Sequence, residues 1–198
     1  MGFDITGMNP KNLHLKEPIR PDNLFELSKE DQDKYFEKRE NYTSQSGTYF
    51  RNNVWWWRPL ADYVLRHTKV IPESEHEHWG YNDCYEVSQQ YAEMISQQLD
   101  HLIKSGHCKA YADQFEKNRK IIEKHNDKIE KQLDKFCKEV EKKLGKSNLA
   151  PNEFPTEDKK KWDKIYDKKN FNGNYPFSVD NVKEFSDFCK NSGGFTIG

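Results

Sequence analysis

The sequence predicts a mostly α-helical fold with a small β element, an α+β chain, and three observations support this class. Apolar residues recur at intervals of three and four in several long segments, which is the spacing of one helix face. Serine, threonine, asparagine or aspartate precedes most of these segments, and glycine follows several of them, as at helix starts and ends. Short runs of aromatic and β-branched residues lie near both ends of the chain, outside the helical pattern.

The two terminal runs are predicted to be short strands. Residues 3–5 read Phe-Asp-Ile and are followed by Gly7, whereas residues 195–197 read Phe-Thr-Ile and follow a Gly-Gly pair. Alternation of apolar and polar side chains with glycine at the boundary is typical of strands. We expect the two strands to pair, which would bring both ends of the chain together.

Two helices are predicted before residue 70. Ser28 is a suitable N-cap for a helix over about 29–40, although the apolar content of that helix is little more than two aromatic residues. Pro59 is best placed in the first turn of a helix over about 59–68, because a proline there disrupts no helical hydrogen bond.

The middle of the chain is predicted to hold two longer helices. Asn82 or Asp83 can cap a helix over about 84–104, which has a clear apolar stripe and ends at Gly106. Residues 108–144 then resemble one very long charged helix, with a narrow apolar seam and many oppositely charged pairs at i,i+4 spacing.

This long helix leaves two arrangements open. Its weakest helical point is the His125-Asn126-Asp127 patch, where it could bend back into a hairpin. Otherwise it projects as an arm that can pair with another chain. In both cases we expect a single domain, residues 1–198, with 108–168 inserted as a charged helical arm or hairpin.

Two further helices are predicted after the long one. Thr156 can cap a short helix over about 157–168, and Ser178 can cap the last helix over about 179–191. The last helix has a continuous apolar face, so we expect it to pack in the core.

Composition and charge restrict the function classes. The chain has 198 residues, is 34% hydrophobic and 33% charged, and has a formal net charge of −1, which argues against a general nucleic-acid binder. The acids of the long helix are interleaved with its lysines at helical spacing, so we expect a solvated face there rather than a nucleic-acid patch. Four scattered cysteines, no secretion signal and no membrane-length apolar run favour a cytoplasmic protein.

The main candidate site is the segment 47–60, which reads GTYFRNNVWWWRPL. Because the residue before a proline avoids helical geometry, we expect residues 49–57 to be extended. The alternative is a helix that begins at Asn53 and is kinked by Pro59. Alternation then places four residues on one side, Phe50, Asn52, Val54 and Trp56, and four on the other, Arg51, Asn53, Trp55 and Trp57. We expect Val54 and Trp56 to lie in the core.

Aromatic planes beside guanidinium and amide groups are suited to a flat anionic ligand, and this pattern predicts a binding site. The opposite interpretation is that the aromatic residues fill the core and the polar residues satisfy turns. The candidate ligand-binding residues are Tyr49, Arg51, Asn52, Asn53, Trp55, Trp57, Arg58, Asn82 and Asp83.

Other constellations are weaker. His76 and His78 lie near Asp83 and are candidate metal ligands, although no second spaced pair accompanies them. The Asn191-Ser-Gly-Gly194 turn is an ordinary helix stop or a place where backbone approaches a ligand. We identify no catalytic constellation and expect no cofactor, so a binding protein is favoured over an enzyme.

Three motifs occur together in this chain: the N-terminal Met-Gly-Phe-Asp-Ile with Asn9-Pro10, the segment 47–60, and Tyr175-Pro-Phe177 running to Asn191-Ser-Gly-Gly-Phe195. In these motifs the chain resembles a family of small uncharacterised bacteriophage and bacterial proteins. Members of that family often have a cysteine-rich knuckle, whereas this chain has charged helices over 108–168 and no Cys-x-x-Cys. The resemblance implies a phage accessory protein of the host cytoplasm, with no established chemistry to transfer.

Three hypotheses about function follow. The first is an anti-defence protein that binds and sequesters a small nucleotide-like signalling ligand through the aromatic-Arg-Asn segment. The second is an interaction protein that docks a partner, or a second copy, through the long helix. The third is a metal-dependent nucleotide hydrolase that uses His76, His78 and Asp83.

Overall fold

The computed structural model describes residues 2–198 and confirms a mostly helical chain with a small sheet. The strands and helices follow one another in this order: β1 (Gly2–Gly7), α1 (Lys29–Thr43), β2 (Tyr49–Asn53), α2 (Val54–Thr68), β3 (Tyr85–Val87), α3 (Gln89–Lys104), α4 (His107–Leu144), α5 (Thr156–Tyr166), α6 (Val179–Asn191) and β4 (Phe195–Ile197). Within the described residues, no helix is both long and apolar enough to cross a bilayer.

The four strands form one antiparallel sheet in the order β2-β1-β4-β3. The predicted pairing of the terminal strands is confirmed, since Ile5 lies opposite Ile197. Two further backbone hydrogen bonds of 2.9 Å join Asp4 and Gly198. The two central strands therefore come from opposite ends of the chain.

The strand β3 and the start of α3 correct the sequence-based prediction. Residues 85–87 were expected to be helical, but they pair with β4. The helix begins later because the Ser88 hydroxyl, rather than Asn82 or Asp83, accepts a hydrogen bond from the Tyr91 amide. Pairing with a strand about a hundred residues away overrides the local helical pattern.

The caps of the first and last helices are as predicted, whereas that of α5 differs. The Ser28 side chain accepts from the Asp31 amide, and the Ser178 side chain accepts from the Asn181 amide. In α5 the N-cap position is Pro155, and Thr156 is the first helical residue.

The chain divides into two compact units, and the smaller one is inserted in the sequence of the larger one. The first comprises residues up to Ala112 together with Phe177–Gly198, and the second is Asp113–Pro176. Whether the whole chain is one folding domain stays a prediction.

The core of the first unit lies between the sheet and helices α2, α3 and α6. Its largest fully buried side chains are Trp57, Trp79, Tyr63, Phe185, Phe195, Ile5, Leu60, Ile95, Leu99 and Ile197. Burial of roughly 150–250 Å² by each aromatic side chain is a large part of the stabilisation in so charged a sequence. The predicted apolar face of the last helix is confirmed, since Val182, Phe185, Phe188 and Cys189 are all buried.

The second unit is built on α4, which runs without interruption through residues 125–127, so the hairpin alternative is wrong. The polar patch is used for tertiary contacts instead. The Asn126 side chain donates to the Asn170 carbonyl at 2.8 Å and accepts from the Asn170 amide at 2.9 Å. The predicted apolar seam is buried at Ile129, Leu133 and Val140.

Candidate functional site

The aromatic segment is a strand followed directly by a helix. Strand β2 ends at Asn53, whose side chain accepts hydrogen bonds from the amides of Trp55 and Trp56 and so caps α2. The expectation that residues 49–57 are all extended is therefore wrong. The structure is closer to the alternative, because α2 includes Pro59 and begins at Val54, one residue later than that alternative placed it. The asparagine cap satisfies amides at the helix start and outweighs the proline further along.

The change from alternation to helical spacing alters the expected burial of two tryptophans. Trp56, which was expected in the core, is only half-buried. Trp57 is 0% exposed and stacks on Phe3 and Trp79, with ring centroids 5.4 and 5.7 Å away. Its indole N–H donates to the Trp79 carbonyl at 2.7 Å. Trp57 is therefore a core residue and not accessible to a ligand, whereas Trp55 keeps 43% of its surface exposed.

The polar residues predicted at the site mostly bind other parts of the first unit. Asn52 donates from its side chain to Asn181 at 3.0 Å. Arg51 forms an ion pair with Asp4 at 3.3 Å, and the Asn82 side chain donates to the Gly2 carbonyl at 3.0 Å. Arg51 and Asn82 therefore both contact residues of β1, a central strand of the sheet. Arg58 is exposed on α2.

The histidine loop forms separate contacts instead of a cluster of metal ligands. A ring nitrogen of His76 lies 3.0 Å from the Ile71 carbonyl, and Nδ1 of His78 lies 2.5 Å from a carboxylate oxygen of Asp83. This hydrogen bond raises the pKa of His78 and lowers the pKa of Asp83. Among residues 2–198, no three His, Cys, Asp or Glu side chains are grouped to hold a metal ion.

The Gly-Gly turn after α6 is a site of close backbone packing. Gly193 has a φ of +63°, and a Cβ there would lie 2.1 Å from the Asn9 carbonyl oxygen. Gly47, at the start of the aromatic segment, has a φ of +84°, and a Cβ there would lie 2.3 Å from backbone atoms of Asn191. The backbone packing therefore requires glycine at positions 47 and 193, because no other residue fits there. Both glycines belong to the motifs that carry the family resemblance.

A second polar cluster lies where α2 meets the start of α4. The Tyr63 hydroxyl is 3.0 Å from a ring nitrogen of His107, and the rings of His67 and His107 are 4.8 Å apart. Burial lowers the pKa of His67, and the neighbouring His107 lowers it further. Cys108 is fully buried, and that burial raises its pKa, which is the opposite of what an activated nucleophile needs.

The candidate site is a groove of about 850 Å³ in the first unit. This volume is within the roughly 300–1,000 Å³ typical of small-molecule sites. Its walls come from β1, the connection after it, α1 and the start of β2, and they comprise Thr6, Gly7, Glu17, Pro18, Ile19, Arg20, Tyr35, Phe36, Arg39, Glu40, Tyr42, Thr43, Thr48 and Tyr49. Tyr49 is the one residue of the sequence-predicted set among them.

Helix α1 presents its aromatic and cationic residues to this groove. Tyr35, Arg39 and Tyr42 follow at i, i+4 and i+7, so they share a face, and Phe36 lies beside them. No residue of α1 is buried, although its aromatic side chains are large. The sequence shows little apolar content in this helix beyond two aromatic residues. Aromatic side chains on a helix without a core-facing stripe were the signal in the sequence for the groove.

The opposite wall is tied to the sheet through Tyr49. The Tyr49 hydroxyl donates to the Asp4 carboxylate, which also pairs with Arg51. Burial and this hydrogen bond raise the pKa of Tyr49 to about 12, so the phenol is neutral at physiological pH. A neutral phenol offers an aromatic face to a ligand without repelling an anion.

The end of α1 is tied to the start of β2 by side-chain hydrogen bonds. The Thr48 hydroxyl donates to the Gln45 carbonyl at 2.6 Å, and the Gln45 side-chain oxygen accepts from the amides of His14 and Leu15 at 2.7 and 2.9 Å. These contacts hold the connection after β1, the end of α1 and the start of β2 together around the groove.

Comparison with known proteins yields no relative: no family model, curated protein or solved structure matches this chain. The resemblance to the bacteriophage and bacterial family therefore stays a prediction, and the candidate site rests on its own geometry.

Proposed function

We propose that the protein binds a small nucleotide-like ligand in the groove between α1 and the start of β2. The observation that supports this most is the composition of the walls. One groove of suitable volume combines Tyr35, Phe36, Tyr42 and Tyr49 with the guanidinium groups of Arg20 and Arg39. We assign no metal or cofactor to this site.

Each type of wall residue has a counterpart in a nucleotide. Aromatic faces stack on a base, and such stacking contributes about 1–3 kcal/mol per base. Guanidinium groups of Arg20 and Arg39 bind phosphate oxygens with two parallel hydrogen bonds. Carboxylates of Glu17 and Glu40 accept hydrogen bonds from ribose hydroxyl or base amino groups. The lining carries two positive and two negative side chains, which favours a ligand with both anionic and donor groups.

The proposed biological role is sequestration of a signalling nucleotide by a phage accessory protein in the host cytoplasm. Sequestration needs tight binding and no chemical step on the ligand. This role is supported by the motif resemblance alone. A test is expression in a bacterial host, where the free concentration of the bound nucleotide should fall. An unchanged concentration at a protein level above that of the nucleotide would refute this role.

Two alternatives have less support from the geometry. The long helix was expected to dock a partner through its apolar seam, but Ile129, Leu133 and Val140 are buried within their own unit. The metal-dependent hydrolase was expected to use His76 and His78, whose ring nitrogens contact a carbonyl and a carboxylate of the loop.

Titration calorimetry with a panel of cyclic and linear nucleotides tests the proposed binding. We expect at least one nucleotide to bind, and Arg39→Ala to weaken its affinity by about 10- to 100-fold, since hydrogen bonds to charged groups contribute about 1.5–3 kcal/mol. Arg66→Ala is the matched control, because Arg66 is an exposed arginine of α2 that pairs with Asp62. No binding by any nucleotide, or equal affinity of the two variants, would refute the proposal.

The same experiment separates the groove from the surface predicted by sequence analysis. Trp55→Ala removes an exposed aromatic side chain that is not part of the groove lining. We expect this variant to bind the nucleotide like the unmodified protein. A loss of affinity in Trp55→Ala with none in Arg39→Ala would place the ligand on the aromatic segment instead.

A further inference from the structure

Helix α4 carries a continuous row of exposed lysines along one face. These residues follow at intervals of three or four, and all are exposed: Lys117, Lys120, Lys124, Lys128, Lys131, Lys135, Lys138 and Lys142. With 3.6 residues per turn they lie within an arc of about 80°, and at 1.5 Å per residue the row is about 38 Å long. We call this row the lysine ridge. All of it belongs to the second unit.

The uninterrupted helix brings the lysines into one row. The sequence predicted a solvated face here rather than a nucleic-acid patch, because acids are interleaved with the lysines at helical spacing. In the helix, however, most acids fall on a separate stripe about 90° away, namely Glu116, Glu123, Asp127, Glu130, Asp134 and Glu141. Glu139 is the acidic residue outside that stripe between the ends of the ridge.

The acidic stripe is partly neutralised by cations outside the ridge. Arg119 forms ion pairs with Glu116 and with Glu123, and Lys169 pairs with Glu130. By contrast, only two ridge lysines form ion pairs in residues 2–198, Lys120 with Glu116 at 3.6 Å and Lys135 with Glu139 at 4.0 Å. The other ridge ammonium groups remain available for an external anion.

Distance and screening decide which charge a bound anion experiences. A linear polyanion on the ridge lies within about 4 Å of the ammonium groups, whereas the acidic stripe is centred about 90° away, at roughly 10 Å. Glu116 is closer, because it lies 3.6 Å from Lys120. The Debye length is about 8–10 Å at physiological salt, so salt weakens the repulsion from most of the acidic stripe more than it weakens the attraction to the ridge. The second unit as a whole has 17 Lys and Arg against 13 Asp and Glu, an excess of positive charge.

We propose that the lysine ridge binds the phosphate backbone of a single-stranded nucleic acid, independently of its sequence. Successive lysines lie about 5.4 Å apart along the helix, a spacing that a flexible strand with one charge per nucleotide can follow. The ridge is one side chain wide, which matches a linear polyanion better than a planar anionic membrane. No aromatic or amide side chain that would read a base lies within the arc of the helix that the ridge lysines occupy.

The opposite face of α4 supports an outward orientation of the ridge within its unit. Ile129, Leu133 and Val140 are buried there, about 160° around the helix from the lysines. The packing of α4 in its unit therefore uses the apolar face and leaves the lysine face exposed to solvent. This inference is independent of the groove in the first unit and of any ligand bound there.

Fluorescence anisotropy with labelled single-stranded DNA and RNA of mixed sequence tests the ridge. We expect binding at about 50 mM salt that weakens steeply at higher salt, with a log–log slope up to about −5.6 for eight contacts. The ridge variant is Lys124→Gln, Lys128→Gln, Lys131→Gln and Lys135→Gln combined. We expect it to bind at least tenfold more weakly at about 50 mM salt and to halve the slope to about −2.8.

The matched control removes four exposed lysines of the first unit, namely Lys16, Lys29, Lys38 and Lys104, each replaced by Gln. It makes the same change in net charge, and we expect it to retain affinity within about twofold and the original slope. No binding by the unmodified protein at about 50 mM salt would identify the ridge as a solvated face and overturn the proposal. Equal loss in both variants, or binding to phosphatidylserine vesicles but to neither nucleic acid, would also overturn it.

Discussion

Replacement of Trp57 by alanine is the most direct test of how the aromatic segment folds. Trp57 is fully buried, stacks on Phe3 and Trp79, and donates its indole N–H to the Trp79 carbonyl at 2.7 Å. Truncation of a buried aromatic residue to alanine costs about 3–5 kcal/mol. Loss of the donor to a buried carbonyl adds about 1 kcal/mol. We expect a decrease of about 4–6 kcal/mol in the free energy of unfolding.

Trp55→Ala is the matched control, because it removes the same side chain two positions earlier. Trp55 is 43% exposed, so truncation leaves a space that water can reach instead of a sealed cavity. We expect a decrease of no more than about 1.5 kcal/mol, since only part of the apolar area is lost. Urea denaturation followed by circular dichroism measures both variants on the same scale.

The difference between the two variants decides between two orientations of the segment. An extended segment places Trp57 on the side away from the core, as sequence alternation predicted. The helix places Trp57 inside and Trp55 outside. The helical arrangement of these residues would be refuted if the two variants differed by less than about 1 kcal/mol in free energy of unfolding. A larger loss of stability in Trp55→Ala than in Trp57→Ala would also refute it.

Three further predictions concern packing and titration. Gly193→Ala should decrease the free energy of unfolding by more than about 2 kcal/mol, because the new Cβ would lie 2.1 Å from a backbone oxygen. Gly80→Ala is the control and should change the free energy of unfolding by less than about 0.5 kcal/mol, because no atom lies within 4 Å of its new Cβ. Equal effects of the two variants in urea denaturation would contradict the close packing at Gly193. Burial and a neighbouring imidazole lower the pKa of His67 below 6.5, so the unfolded state takes up that proton first as pH falls. The free energy of unfolding should therefore decrease below about pH 6.5 and level off once His67 is also protonated in the folded state. His67→Phe should flatten this pH dependence in denaturation experiments at about pH 5–8, and an unchanged pH profile in that variant would contradict the prediction. Asn126→Ala should speed hydrogen exchange at the Asn170 amide about fivefold, since a hydrogen bond of about 1 kcal/mol is lost, and unaltered exchange would argue against that contact.

The elements with local signals could be predicted from the sequence. Helix α6 has a serine cap, a continuous apolar face and a glycine stop, and the structure has it at the predicted bounds, Val179–Asn191. The long helix was predicted to within one residue, because its i,i+4 pairs and apolar seam are local properties. The terminal strands were also recognised, since few partners were available for two short apolar runs.

The errors occurred where distant or competing interactions decide the structure. Strand β3 forms because β4 offers a partner about a hundred residues away, which no local pattern reveals. The phase of the aromatic segment depended on whether the Asn53 cap or Pro59 sets the start of α2, and the two rules point in opposite directions.

The candidate groove was the least predictable feature. Its walls come from Thr6–Gly7, Glu17–Arg20, helix α1 and Thr48–Tyr49. These segments are distant in the sequence, and the sheet and the Gln45 and Thr48 hydrogen bonds bring them together. The sequence pointed to Tyr49, because it belongs to the conspicuous aromatic segment. It did not point to Arg39, because an arginine on a charged helix is ordinary.

The measurement that tests the central claim most directly is an NMR chemical-shift titration of the labelled protein with the nucleotide panel. Ligand binding in the groove predicts saturable shifts at Tyr35, Arg39, Tyr42, Thr48 and Tyr49, with amides of α6 unaffected. Saturable shifts confined to Arg51, Trp55 and Asn82, or no shifts with any nucleotide, would contradict the assignment of this groove as a nucleotide-binding site.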